Sequence, residues 1–149
     1  MLNKLFNELI NKKKNKNLKV GIVGLGYVGL PLARAFSSKK VKTLGFDSDK
    51  SKVFKLRKGL SYIKDFPNST IVEMNKNNFE CFYSFEKIKD VDAIILCLPT
   101  PLKKNKSPEM KFIKNSLKKI KNYFREGQIL SLESTTYPGT TNEIIEPVL

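Results

Sequence analysis

At 149 residues the chain has the length of one domain, and its 40% share of apolar residues is enough to bury a core, which excludes wholesale disorder. No apolar run reaches the roughly 20 residues that cross a bilayer, no secretory leader is visible, and two cysteines make neither a disulfide framework nor a metal site, so a reducing cytoplasm is expected. The formal charge of +14 is almost all lysine, the only arginines being Arg34, Arg57 and Arg125; base reading favours arginine's planar fork, so the charge is attributed to a Lys/Asn-rich composition such as AT-rich coding produces, not to a nucleic-acid footprint.

In chain order, residues 1–17 form an extension. Leu2, Leu5, Phe6, Leu9 and Ile10 fall at helical spacing, and Lys12 to Asn17 are all Lys or Asn. This predicts a helix docking on the domain followed by a solvated linker; as a membrane-surface helix it has too short an apolar face and no Trp. Residues 18–149 then alternate strand and helix. Lys19 to Val23 is a β-rich run, Tyr27 to Ser37 a helix, Val41 to Phe46 a strand, and Asp49 to Lys58 a helix with Val53, Leu56 and Leu60 on one face. Phe79 to Ser84 is a further strand, and Asp92 to Leu98 is a near-continuous apolar run, the pattern of a parallel strand covered on both sides. Ser107 is the expected N-cap and Pro108 the first residue of a helix whose apolar stripe is Met110, Ile113, Leu117, Ile120 and Phe124. Gly127 ends it, Gln128 to Glu133 is another strand, and a helix begins at Thr141. Strands spaced by helices in this rhythm imply a doubly wound parallel sheet of right-handed βαβ units with helices on both faces: an α/β, Rossmann-like single domain.

The sharpest local signal joins the first strand to the first of these helices. Gly24, Gly26 and Gly29 stand in the spacing G-x-G-x-x-G, as Gly24-Leu25-Gly26-Tyr27-Val28-Gly29. Gly24 permits the tight turn, Gly26 lets backbone approach a pyrophosphate, and Gly29 lets helix pack on strand, while the N–H groups of the helix start face the anion. The second strand ends in Gly45-Phe46-Asp47, roughly twenty residues on, where a carboxylate accepts the ribose hydroxyls of NAD and repels a 2′-phosphate. Lys52 either offsets charge near the adenosine phosphates or ribose or is a solvated helix lysine.

Five blocks occur in a fixed order: Gly24 to Ala33, Gly45 to Asp47, Gly59-Leu-Ser-Tyr-Ile63, Leu98-Pro-Thr-Pro-Leu102 and Leu132-Glu-Ser-Thr-Thr-Tyr-Pro-Gly-Thr-Thr141. In this order they resemble the UDP-glucose/GDP-mannose dehydrogenase family over residues 18 to 149, and the last block is most similar to the branch that oxidises UDP-N-acetylhexosamines, such as UDP-N-acetylglucosamine 6-dehydrogenases. The resemblance implies NAD as cofactor, a UDP-sugar as substrate, and oxidation of its C6 alcohol to a carboxylate in two hydride transfers that consume two NAD⁺. It implies that Leu98 and Thr100 lie beneath the cofactor, stiffened by Pro99 and Pro101, and that Thr135 contacts the cofactor. Thr136 matches the threonine that touches the nicotinamide side and helps hold the catalytic water. From the residues alone, Thr140 or Thr141 caps the next helix and the other threonines are β-formers. Tyr62 and Ile63 match a loop with no role beyond shaping the site.

The family's nucleophilic cysteine belongs to a His-containing motif, and this chain has no histidine. Cys97 lies inside an apolar strand and Cys81 in the strand predicted at Phe79 to Ser84, where thiols stay protonated, so neither is expected to substitute. The family's catalytic lysine and glutamate and its dimerising helix are expected beyond residue 149. The chain is therefore read as a truncated, amino-terminal NAD-binding part, inactive alone, with a homodimer expected only of the full-length enzyme; the alternative is a finished remnant that only binds dinucleotide. No metal, membrane or nucleic-acid partner is expected.

Overall fold

The computed structural model describes residues 2–149; Met1 and the side chain of Leu2, which open the predicted extension, lie outside the described residues. Five strands, β1 (Lys19–Val23), β2 (Lys42–Phe46), β3 (Phe79–Phe82), β4 (Ala93–Leu96) and β5 (Ile129–Leu132), form one sheet in the order β3-β2-β1-β4-β5. Every pairing is parallel. Val23 pairs with both Phe46 and Leu96, and Leu96 with Leu132, so the strands end level and their outgoing turns share one edge.

Helices cover both faces. On one side α2 (Gly29–Ser38), α3 (Lys50–Arg57) and α4 (Asn68–Lys76) pack over Val20, Ile22, Phe79 and Cys81; on the other α5 (Lys111–Ile120) packs Ile113, Leu117 and Ile120 over Phe46, Ile94 and Leu96. Strand residues of odd and even number feed different cores, which is why β1 and β4 read as unbroken apolar runs.

Several details depart from the sequence reading, among them the end of α5, which stops at Ile120 and passes into a 3₁₀ turn at Lys121–Tyr123 well before Gly127. The helix α4 was not foreseen: Pro67 precedes it and β-branched and Asn residues fill it, yet Thr70, Ile71 and Met74 are buried at its spacing. Leu60 does not extend the buried face of α3, because Gly59 (φ +76°) turns the chain outward and leaves Leu60 half exposed. Ser107 and Pro108 do not start α5. The chain from Pro101 to Glu109 folds as a small hairpin, with Leu102 bridging Pro108 and the Lys103 N–H donating to Ser107 O at 2.8 Å, so the helix begins at Lys111. Thr140 and Thr141 provide no side-chain cap for the short π-helical turn at Thr141–Ile145; the Thr140 hydroxyl donates back to Tyr137 O at 2.7 Å.

The extension forms α1 (Leu2–Lys14), with Leu5 against Gly127 and Phe6 facing solvent. The expected linker from Lys12 is partly helix, and Lys12 is no solvated spacer. Its ammonium donates to Asp92 Oδ1 at 2.6 Å, Arg125 donates to the same oxygen at 2.7 Å, and the Lys19 N–H donates to Oδ2 at 3.0 Å. Asp92 is almost fully buried at the end of the sheet opposite the outgoing turns. Burial alone would raise its carboxyl, but these three donors outweigh it and hold the group below its ordinary value. A carboxyl with a depressed folded pKa contributes stability above its unfolded pKa (about 4) and loses that contribution as pH falls through the folded value. Asp92→Asn is therefore expected to cost about 2 kcal/mol at pH 7, with the gap to wild type closing in denaturant melts taken from about pH 4 downward. A gap constant from neutral to acid pH would show that the charge on Asp92 is not what matters.

Candidate functional site

Parallel register brings the ends of β1, β2, β4 and β5 to one edge, and a crevice of about 670 Å³ opens there, within the usual size of a small-ligand site. Cross-strand bonds hold its floor: Gly24 N–H to Phe46 O at 2.7 Å, Cys97 N–H to Val23 O at 2.8 Å, and Glu133 N–H to Leu96 O at 2.9 Å.

The three motif glycines separate by what surrounds them. Gly24 has φ +94°, and a Cβ there would meet Cys97 O at 2.3 Å; a Cβ on Gly29 would meet Gly24 O at 1.8 Å. Both are demanded by the fold itself. A Cβ on Gly26 would meet nothing within 4 Å, although Gly26 lines the crevice. Its bareness serves no packing within the chain and leaves room for backbone to approach a ligand. In the first turn of α2 the Leu30 N–H donates to Gly26 O at 3.0 Å and the Leu32 N–H to Val28 O at 3.1 Å, so the backbone bordering the opening is that of Gly26, Tyr27 and Val28, just ahead of the helix.

Asp47 sits at the tip of β2, buried, with its carboxylate toward the glycine turn. Oδ2 accepts the Leu25 N–H at 3.0 Å and Oδ1 accepts the Asp49 N–H at 2.9 Å, while the Lys52 ammonium lies 3.5 Å from Oδ2. Asp49 in turn caps α3, accepting the Ser51 N–H at 2.8 Å. A carboxylate offers about four acceptor sites, so Asp47 keeps capacity for hydroxyl groups in the crevice that it lines.

Of the residues expected to bind cofactor, Gly24, Gly26, Tyr27, Val28, Asp47, Lys52, Leu98, Thr100 and Thr135 line this one crevice. Leu25 and Gly29, also expected to bind cofactor, do not line it: the Leu25 side chain is fully buried and its N–H and carbonyl are taken by Asp47 and Tyr62, and Gly29 is buried behind the turn. Thr136, next to Thr135, is half-buried and is not among the lining residues.

Several residues escaped the sequence reading. The Ser134 hydroxyl accepts the Leu98 N–H at 3.1 Å and donates to Leu98 O at 2.9 Å, tying the turn after β4 to the turn after β5. Phe112, Asn115, Ser116 and Lys119 of α5, with Phe85, wall the far side. The α5 residues lie off the apolar stripe used to find the core, and Phe85 lies outside any foreseen element, so periodicity gave them no signal. Tyr62, expected only to shape the site, donates from its hydroxyl to Leu25 O; burial foremost, and the charge of Asp47 next, push its ionisation well above that of a free tyrosine. Burial likewise pushes both thiols up, Cys81 and Cys97 each to about 11. Among the described residues no three or more His, Cys, Asp or Glu cluster as a metal site requires, and no helix is long and apolar enough to cross a membrane.

A glycine turn with a reserved opening, a helix amino terminus and an acid at the tip of the neighbouring strand define a dinucleotide-binding domain of the doubly wound kind. The sequence model of the UDP-glucose/GDP-mannose dehydrogenase family, NAD binding domain, matches residues 18–149, and the chain belongs to that family. It is 34% identical over 134 residues to a UDP-N-acetyl-D-glucosamine 6-dehydrogenase of Pseudomonas aeruginosa, covering 90% of this chain and 31% of that protein. It is 34% identical over 131 residues to a UDP-N-acetyl-D-mannosamine dehydrogenase of Campylobacter jejuni, covering 87% and 32%. Among solved structures, the NDP-N-acetyl-D-galactosaminuronic acid dehydrogenase of Methanosarcina mazei superposes with a TM-score of 0.81 at 30% identity, covering 97% of this chain and 33% of that one. The chain thus spans about a third of the length of these relatives.

The glycines can be separated experimentally. Gly29→Ala should destabilise the domain by about 1–3 kcal/mol or more, since backbone rather than a flexible tip must move. Gly26→Ala should leave the melting transition within about 0.5 kcal/mol of wild type while weakening dinucleotide binding by at least about tenfold. Equal destabilisation by the two would mean that the opening at Gly26 is not reserved for a ligand.

Proposed function

We propose that this chain is the NAD-binding part of a nucleotide-sugar 6-dehydrogenase that oxidises the C6 alcohol of a UDP-N-acetylhexosamine to a carboxylate, consuming two NAD⁺, in the cytoplasm. The observation that carries the reading is the Asp47 carboxylate held against the glycine turn beside the unobstructed face of Gly26. In this arrangement the backbone of residues 24–29 receives the diphosphate. Asp47 accepts the adenosine ribose hydroxyls, and Lys52 moderates its charge. A 2′-phosphate in place of a hydroxyl would be repelled by the same carboxylate.

The nicotinamide, when bound, supplies the hydride acceptor. Leu98 and Thr100 support it from the turn after β4, and Thr135 borders its side of the crevice. Thr136 positions water there, a role that requires a small movement of the turn after β5, since it does not line the crevice in this structure. The oxidation of an aldehyde to an acid needs a thiolate or an equivalent nucleophile. Thiols at about 11 do not provide one at neutral pH, so this chain's residues account for binding and orientation and not for that step. The UDP-N-acetylhexosamine class is supported by the two bacterial relatives, whose names specify such sugars.

Titration of the purified chain with NAD⁺ should give a dissociation constant in the ~micromolar-to-millimolar range. NADP⁺ should bind at least about tenfold more weakly, and Asp47→Ala should lower NAD⁺ affinity by about ten- to a hundredfold, the worth of hydrogen bonds to a charged acceptor. No oxidation of UDP-N-acetylglucosamine by the chain alone is expected. Equal affinity for NAD⁺ and NADP⁺, or an Asp47→Ala variant that binds as wild type does, would defeat the reading.

A further inference from the structure

The glycine turn poses a problem that its own residues do not solve. Leu25 lies between two glycines, the residues with most conformational freedom to lose. Disorder there would have to be removed on binding, at a cost to affinity. Yet Leu25 is held from three sides. Its side chain is fully buried, with Cδ2 only 2.9 Å from where a Cβ on Gly45 would stand. Its N–H donates to Asp47 Oδ2 at 3.0 Å. Its carbonyl, which nothing in the helix or sheet ladder requires, accepts the Tyr62 hydroxyl.

Tyr62 comes from the loop between α3 and α4, and that loop is itself braced. Gly59 (φ +76°) turns it back, Ile63 and Phe66 are buried in the core, the Ser61 hydroxyl accepts the Ile63 N–H at 3.1 Å, and the Asn68 side chain accepts the Ser61 N–H at 2.7 Å. The Lys52 ammonium stands 5.7 Å from the centre of the Tyr62 ring and 3.5 Å from Asp47 Oδ2. Tyr62, Leu25, Asp47 and Lys52 therefore close a ring of contacts around the turn, with a hydroxyl donor at one end and a carboxylate acceptor at the other. Burial foremost, and next the charge of Asp47, raise the ionisation of this hydroxyl above that of a free tyrosine, which favours the protonated donor.

We propose that Tyr62 is a positioning residue for the diphosphate-binding turn: its hydroxyl fixes the Leu25 carbonyl and so presets the N–H groups of Gly26 to Val28 for an anion. This rests on the reading of the crevice as a dinucleotide site. Tyr62 itself touches no reacting group.

Tyr62→Phe removes one oxygen and keeps the ring beneath Lys52. Two measurements on this variant and wild type decide the matter. Amide hydrogen exchange without ligand is expected to speed up by about three- to tenfold at Leu25, whose N–H donates to Asp47 Oδ2 in the turn, with protection in β1, β2 and β4 unchanged. ADP-ribose affinity is expected to fall by about three- to tenfold while adenosine, which lacks the diphosphate, binds the variant and wild type alike. Unchanged exchange in the turn would overturn the proposal whatever the ligands do. Uniformly faster exchange throughout the sheet, or parallel losses for ADP-ribose and adenosine, would also overturn it, since a merely structural tyrosine behaves so. A wild-type chain that binds neither ADP-ribose nor NAD⁺ would defeat the functional reading, and the proposal with it; wild-type binding with an indifferent variant would defeat the proposal alone.

Discussion

The Asp47 carboxylate and the Leu25 N–H, 3.0 Å apart, join two pieces of chain that the sheet places side by side without fixing to each other. Parallel pairing ends at Val23 and Phe46, one further bond runs from the Gly24 N–H to Phe46 O at 2.7 Å, and past it the backbones of the two turns have no bond to each other. An aspartate is the right length for the tie. One oxygen reaches back to the Asp49 N–H two residues on, a turn that short side chains make and longer ones do not, and this leaves the other oxygen aimed across at the glycine turn. An asparagine would place an N–H against one of two N–H groups. Everything in the crevice is referred to this bond: the helix start after the turn, the capping of α3 by Asp49, and the carbonyl that Tyr62 takes.

Two buried aspartates sit at opposite ends of the sheet, and their partners explain their different uses. Asp92 is met by two cations and an amide, all within 3.0 Å, and its charge is spent on holding α1 and Arg125 to the base. Asp47 has two amides within that distance, but its one cation stands at 3.5 Å. Its negative charge is supported without being neutralised, and it borders open volume. A carboxylate in that condition has unused attraction for hydroxyl donors, whereas one like Asp92 has little left to offer a ligand.

How much of this was legible in the sequence depended on whether a residue's reason for being there was local. The glycines, Asp47 and the apolar strands obey short-range spacing rules, and each was found where it was expected. The helix α4 has a buried set at helical spacing, but Asn68, Ser69, Thr70 and Val72 are weak helix formers, so propensity hid it. At Ser107 and Pro108 the cap signal was genuine chemistry in the wrong place: Pro fits an extended bridge as well as a first helical turn, and only the pairing with Leu102 decides between them. Ser134 and Tyr62 act on backbone atoms 36 and 37 residues away, and no periodicity records an appointment of that kind. The wall of the crevice on α5 escaped for the opposite reason. A hydrophobic stripe identifies what a helix buries and leaves its polar side unassigned, although Asn115, Ser116 and Lys119 on that side line the crevice.

The division among the glycines bears on how such a domain keeps its function as its sequence drifts. Gly24 and Gly29 are protected by the fold, since any side chain there collides with backbone at 2.3 Å and 1.8 Å, and a chain that lost them would lose stability whether or not it bound anything. Gly26 has no such protection, since a Cβ there meets nothing within 4 Å, while Asp47 and the Tyr62 hydroxyl are tied to the Leu25 backbone by hydrogen bonds and not by steric necessity. Gly26 and Asp47 side by side in one crevice are therefore a stronger indication of binding than the motif as a whole, two of whose three glycines would be needed by a turn that bound nothing.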